Sequence, residues 1–251
     1  MEVGFYKQQH ELERSHWWYV GRRRILGAAM QRVSIFGSRI LDVGCGTGEY
    51  LEVLKERYPS FIICGIDFEL EPLRFCRADH SAPLSQADAT DLPFASASFD
   101  MVVALDTLEH VRDDARALGE LYRVSKPGGS VLLTVPAFPF LWGNVDDVGH
   151  HFRRYRRREL VRKLESAGFR VQEVRYYNFI LFPPIALLRL LARLLPKRVS
   201  PPDGHISTDF DLVEKGPLNS LLTFVFSLEA SLLGLKIPFG VSLLCIASRD
   251  S

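Results

Sequence analysis

The chain has 251 residues, 47% hydrophobic and 24% charged, which is enough apolar material for one large packed domain and too much for a disordered chain. Lys and Arg number 31 against 30 Asp and Glu, so a net charge of +1 excludes a global field steering the molecule to nucleic acid or membrane. Cys45, Cys64, Cys76 and Cys245 show neither metal-ligand spacing nor the density of a secreted disulfide scaffold, and they read as reduced thiols of a cytoplasmic protein.

The first 36 residues read as one or two helices. Charges run throughout "MEVGFYKQQHELERSHWW", which is not the pattern of a signal peptide. In "HWWYVGRRRIL", Trp17, Trp18 and Tyr19 precede three arginines and either pack on the core or make a pocket wall.

Short apolar runs then alternate with helix-length segments: "RILDVG", "EYLEVLKERY", "FIICGID", a helix at 70–79, "LSQAD" and "FDMVVAL". A helix at 113–124, "SVLLTVP", a helix at 157–167, "FRVQEVRYY" and a last strand "GVSLLCIAS" follow. This alternation predicts β-α-β units and a mostly parallel sheet covered on both faces, with Pro127, Gly128 and Gly129 in a turn before the fifth strand.

Residues 178–238 break the alternation with two apolar helices around "PKRVSPPDGH". The stretch "FILFPPIALLRLLARLL" is too interrupted by Pro183, Pro184, Arg189 and Arg193 to span a membrane. Arg189 and Arg193 mark a cationic stripe, and Glu229 sits in the second helix. These helices are expected to bury each other, the alternative being a place in a membrane interface. The chain reads as a single domain over 1–251, with helices to 36, a core of 37–177 and 239–251, and the insert between.

In "RILDVGCGTGEYLEVL" a strand ends in Gly44, Gly46 and Gly48 and feeds a helix, a turn that needs positive φ and lets a ligand lie flat against the backbone. Glu49 stands where a dinucleotide-binding fingerprint has its third glycine, and an acid at that helix start disfavours a pyrophosphate. Asp67, 23 residues after Gly44, can accept both hydroxyls of a ribose. Asp88 ends a third strand, where it can accept from an adenine amine while the Ala89 backbone meets the ring edge. Three strand ends thus suit an adenosine, although Asp67 and Asp88 taken singly also suit turns and caps.

In this order "ILDVGCGTG", Asp67, "DATDLPF", "FDMVVALDTLEHV" and "LYRVSKPGGSVLLTVP" resemble the motifs of class I S-adenosylmethionine-dependent methyltransferases of the quinone-biosynthesis type. The resemblance covers about residues 38–176 and the final strand. It implies a Rossmann-like α/β fold, a seven-stranded sheet of order 3-2-1-4-5-7-6 with the last strand antiparallel, helices on both faces and N-terminal helices that close over the acceptor pocket as a lid. The helical insert lies before the last strand. It implies S-adenosyl-L-methionine as cofactor and S-adenosyl-L-homocysteine as product. Carried over, Asp42, Gly44 and Gly46 line the methionine end, with Cys45 and Gly48 in the same turn. Asp67 holds the ribose, Phe68 packs beside the adenine, Asp88 takes its amine, and Leu105 offers a carbonyl to the methionine ammonium.

A sulfonium methyl is already activated, so transfer needs alignment, exclusion of water and, for a hydroxyl acceptor, a base. His110 after the fourth strand and His150 and His151 after the fifth are the catalytic candidates, although His110 equally suits a loop-holding role. Asp106, Glu109 and His110, at i, i+3 and i+4 of a starting helix, could hold a divalent ion together with His150 or His151, but no metal is expected to be required.

"HFRRYRRREL" gathers Arg153, Arg154, Arg156, Arg157 and Arg158, either a solvated helix face or an anion site for a phosphorylated acceptor, an anionic bilayer or RNA. Arg153, Arg154 and Tyr155 join Trp17, Trp18 and Tyr19 as substrate candidates. The reading is a cytoplasmic enzyme, with peripheral membrane contact open, that methylates a hydroxyl or carbon of a small-molecule or lipid- or glycan-linked acceptor. The alternative is a non-catalytic protein retaining the cofactor pocket. An RNA methyltransferase is disfavoured because no Asn/Asp-Pro-Pro-aromatic sequence follows the fourth strand, and a nicotinamide-dependent oxidoreductase because of Glu49. Oligomeric state stays open.

Overall fold

The alternating runs fold into one twisted sheet. The computed structural model describes residues 3–79, 82–192 and 216–250. Helices α1 (Val3–Glu13) and α2 (Trp17–Met30) precede β1 (Arg39–Val43), α3 (Glu49–Arg57), β2 (Ile62–Asp67), α4 (Leu70–Asp79), β3 (Leu84–Gln86) and β4 (Phe99–Leu105). There follow α5 (Asp114–Val124), β5 (Ser125–Pro136), a short α6 (Asn144–Val148), α7 (Arg157–Ser166), β6 (Phe169–Tyr177), α8 (Phe182–Ala192), α9 (Pro217–Leu232) and β7 (Ser242–Arg249). The strand order is β3-β2-β1-β4-β5-β7-β6, with β7 antiparallel to both its neighbours and the other pairs parallel.

All seven residues of β4 are buried, as a strand covered on both faces requires. Alternation sends Val102 and Ala104 into the core under α5 and α7, and Met101, Val103 and Leu105 into the core under α2, α3 and α9. The Pro127–Gly128–Gly129 segment lies within β5 as an irregularity in its pairing with β4, because Ser125 already pairs with Phe99 before the register resumes at Ser130.

The insert departs from expectation. Its helix α9 packs on α2, where Phe226 is fully buried, whereas no residue of α8 is buried. Glu229, the acid in the apolar α9, turns inward and its Oε1 accepts the Ile180 N–H at 2.8 Å, fixing the chain between β6 and α8. Arg189 likewise turns inward, donating to the Leu141 carbonyl, and so does not mark an outer stripe. The loop "PKRVSPPDGH" and Arg193 lie outside the described residues.

Gly21 is where α2 meets α9: a Cβ there would fall 2.3 Å from Phe226 Cδ1. Because Phe226 has no free volume to retreat into, Gly21→Ala is expected to lower stability by about 1–3 kcal/mol. Chemical denaturation measures this, and a variant as stable as the parent would show that α9 is not tightly seated on α2.

Candidate functional site

The turn after β1 is built as its glycines require. Gly44 and Gly46 have φ of 74° and 56°, and a Cβ on Gly44 would fall 2.5 Å from Thr107 Oγ1. The Gly44 and Cys45 N–H groups donate to the Ile66 carbonyl at 2.8 and 2.9 Å, tying the turn to β2. Gly48 caps α3 in the left-handed region and is not part of the cavity wall.

Over this turn, at the carboxyl ends of β1, β2 and β4, opens a cavity of about 790 Å³. Asp42, Gly44, Cys45, Gly46, Asp67, Phe68, Asp88, Ala89 and Leu105 all line it, so the structure brings together these residues from four chain segments. Asp67 Oδ2 accepts the Gly46 N–H at 2.9 Å and Oδ1 accepts that of Glu69 at 3.0 Å, leaving lone pairs on both oxygens. Asp88 is exposed, its Oδ1 accepting from the Thr90 backbone and hydroxyl at 2.8 Å, so the turn-forming role and the cavity position coexist. Asp42 is buried and its Oδ2 has no hydrogen-bond partner; burial pushes its pKa up to about 7, with Asp67 and Glu49 adding to the rise.

Sequence reasoning missed the cation at the centre. Arg22 of α2 is buried, its Nη2 lies 2.7 Å from Asp106 Oδ2, its Nη1 lies 3.6 Å from Glu49, and its guanidinium covers the Trp18 ring at 4.9 Å. Its Nε–H is buried without a hydrogen-bond partner. Burial opposes the charge, but Asp106, Tyr177, Glu49 and Tyr19 together outweigh it and keep Arg22 protonated. Arg23 holds Glu49 at 2.9 Å, so the acid at the start of α3 is paired rather than free. Glu13 of α1 accepts from the Thr47 hydroxyl, and burial pushes its pKa up to about 7. In the sequence, Arg22 was one of three consecutive arginines, with nothing to single it out.

At the other end stand the histidines. His110 and His151 meet edge to face with ring centroids 4.5 Å apart, and burial together with His151 pushes the His110 pKa down to about 4. His151 Nδ1 lies 2.8 Å from Asp146 Oδ1. Asp146 in turn accepts from the Gly143 N–H at 2.8 Å and from Arg154 Nη1 at 2.9 Å, and the His151 bond and Arg154 hold it below the usual carboxylate range against its burial. Asp146 is a second residue missed from sequence, although it lies five positions before His151. His150 sits exposed at the rim with φ of 54°.

Asp106, Glu109 and His110 do not share a helical face: Asp106 has φ of 52° and pairs with Arg22, and only a short 3-10 turn, Leu108–His110, follows. The groups that lie within 4.8 Å of one another are Glu109, His110 and His151. Burial raises the Glu109 pKa well above the usual range.

Of the substrate candidates, Trp18 and Tyr19 line the cavity, whereas Trp17 packs edge-on against Phe226 at 5.6 Å. Arg154 lines it too, but its guanidinium is spent on Asp146 and the Ala137, Leu141 and Val241 carbonyls. Arg153 pairs with Asp114 at 2.9 Å, and the fully buried Tyr155 gives its hydroxyl to Asp114 at 2.8 Å, so both brace the core. Arg156, Arg157 and Arg158 remain exposed.

Residues 41–133 match the family model described as a methyltransferase domain. The chain is 38% identical over 123 residues to a demethylmenaquinone methyltransferase of Thermus thermophilus, covering 47% of this chain and 54% of that protein. It is 30% identical over 140 residues to a probable S-adenosylmethionine-dependent methyltransferase of Mycolicibacterium smegmatis, covering 55% and 54%. The chain thus spans about half the length of these curated relatives. In fold it is similar to a methyltransferase in complex with the Haloferax volcanii Trm112 activator, with a TM-score of 0.63, 20% identity and coverage of 99% and 95%. It is also similar to phosphoethanolamine N-methyltransferase 2 of Haemonchus contortus, with a TM-score of 0.58, 17% identity and coverage of 90% and 52%.

The buried Asp42 makes stability depend on pH. Between the ordinary aspartate pKa of about 4 and about 7, the folded chain keeps a proton on Asp42 that the unfolded chain has released, so stability falls as pH rises through that window. Asp42→Asn is expected to flatten this slope, leaving the part that Glu13 contributes, and to stabilise the ligand-free chain at about pH 8 by on the order of 2–4 kcal/mol. Thermal melts across pH measure it; a parent and variant with parallel profiles would mean that Asp42 does not carry the effect.

Proposed function

We propose that the chain is a class I S-adenosylmethionine-dependent methyltransferase that transfers a methyl group to a hydroxyl of a small-molecule or lipid-linked acceptor. One observation carries the donor site: two buried atoms of opposite demand, the acceptor Asp42 Oδ2 and the donor Arg22 Nε, stand unpartnered in the wall of one cavity. A zwitterionic amino-acid end supplies an ammonium for the first and a carboxylate for the second. The left-handed Gly44 and Gly46 keep Cβ atoms off the turn. Under this reading Asp67 takes the ribose hydroxyls with its remaining lone pairs, Asp88 the adenine amine, Phe68 the ring face and the Leu105 carbonyl the ammonium.

Bound there, S-adenosylmethionine supplies an electrophilic methyl. The chain's own task is then to orient the acceptor, keep water out and remove a proton from the hydroxyl. His151 is the base in this proposal: Asp146, anchored by Gly143 and Arg154, engages its Nδ1 and fixes the ring so that Nε2 takes the proton. Burial keeps His110 neutral beside it, so the acceptor end holds no second imidazolium. Trp18 and Tyr19 of α2 close the wall between the two ends.

Support for a small lipophilic acceptor comes from the demethylmenaquinone methyltransferase relatives, and the proposal extends to quinols and other hydroxylated lipids. Asp67→Ala is expected to weaken S-adenosylmethionine binding by roughly 10- to 100-fold in calorimetric titration, with the circular dichroism spectrum unchanged. Equal affinity for parent and variant would remove the donor-site assignment. Incubation with methyl-labelled donor and fractionated cell extract should label a small-molecule or lipid pool. His151→Ala should lower kcat by about 10²- to 10⁴-fold, and Asp146→Asn should lower it less, both with donor affinity retained. Label in RNA instead, or a His151→Ala enzyme of full activity, would overturn the acceptor chemistry.

A further inference from the structure

Helix α8 is apolar almost all the way round, a composition that ordinarily marks a buried helix, yet it has no buried residue. Leu187, Leu188, Leu190 and Leu191 are between 45% and 63% exposed. Each of the two insert helices has one charged residue, Arg189 in α8 and Glu229 in α9, and both are turned inward onto Leu141 and Ile180. The outer surface of α8 is therefore uncharged, the inverse of an ordinary water-facing helix.

What borders this surface identifies its partner. Phe182 at the start of α8 lies 5.9 Å from Phe138 and 5.3 Å from Phe239, and Phe140 and Phe239 are themselves exposed. Phe138 stacks on Tyr176 at 5.2 Å with the rings 7° from parallel, and the Tyr176 hydroxyl lies within the electrostatic reach of Arg157. At that point begin the exposed side chains of Arg156, Arg157 and Arg158. A leucine face joined through an aromatic band to a cluster of arginines is the arrangement that inserts into acyl chains while cations meet anionic headgroups. A protein interface would instead ring the apolar centre with polar groups.

We infer that α8, the Phe138–Phe140–Phe182–Phe239 band and Arg156–Arg158 form a docking surface for an anionic lipid bilayer. Among the described residues no helix is long and apolar enough to cross a membrane, so the contact is peripheral. Arg189 and Val241 line the cavity from beneath this surface, which places the acceptor end beside the bilayer.

Flotation of the full chain with vesicles tests the inference independently of methyl transfer. The chain is expected to float with phosphatidylcholine vesicles that contain phosphatidylglycerol and to stay unbound with phosphatidylcholine alone. Each arginine contributes roughly a fivefold gain near an anionic surface, so changing Arg156, Arg157 and Arg158 to Glu together should cut partitioning by on the order of a hundredfold or more. Leu187→Glu with Leu191→Glu should abolish flotation from a different element of the face, and melting temperatures close to the parent's verify that both variants fold. A parent that does not float overturns the inference. So do variants that float as the parent does, or light scattering that finds a dimer dissociated by Leu187→Glu.

Discussion

Charge balance around one buried guanidinium organises this molecule. Glu13, Asp42, Glu49, Asp106 and Glu109 all act on Arg22 or are acted on by it, and Arg22 meets two of them directly. One cation, with Arg23 on Glu49, cannot neutralise so many carboxylates out of water, so the surplus is relieved by protons: burial raises Glu13, Asp42 and Glu109 together. A cavity in that state gains when a cationic ligand replaces protons on its wall. It also costs the ligand-free fold stability, the trade expected where a site is organised for binding rather than for rigidity.

Arg22 belongs to α2, so the N-terminal helices are part of the site as much as part of the scaffold. Their position is set from behind. Phe226 of α9 fills the space over Gly21, one residue before Arg22, and burying such a ring is worth about 3 kcal/mol. The insert that interrupts the regular α/β alternation thus braces one wall of the cavity through α9 and contributes Arg189 to another through α8. Glu229 is the joint between these two roles, because its carboxylate caps the backbone where the chain leaves β6.

The parts legible in the sequence are those governed by local rules. Gly44 and Gly46 announce a left-handed turn, and Asp67 and Asp88 could be read from spacing as acids at successive strand ends, whereas Asp42 came only with the family resemblance. Arg22 could not, since three adjacent arginines point to three different sides of a helix and only tertiary packing chooses which is buried. The inward turn of Arg154 and Tyr155 was hidden for a related reason. The Tyr155 backbone pairs with the end of β5, its N–H donating to Pro136 and its carbonyl accepting from Phe138, and this bridge turns both side chains inward within an arginine-rich run. Asp146 escaped because its partnership with His151 depends on the five-residue α6 folding back, which no periodicity encodes.

Backbone strain falls at the cavity rim, at Asp106 and His150, and beside α8, at Phe138. Asp106, Phe138 and His150 all have φ between 52° and 57°, a conformation costing on the order of 1–3 kcal/mol for such residues. Each lies next to a contact that fixes the rim: Asp106 on Arg22, His150 beside the His151–Asp146 pair, and Phe138 in the aromatic stack under α8. The segment from Phe138 to His151 therefore starts at the proposed bilayer face and ends at the proposed base, with Leu141 accepting from both Arg154 and Arg189 on the way. A shift of α8 would be carried through Arg189 to Leu141 and Asp146, so the proposed bilayer face and the proposed base share one piece of backbone.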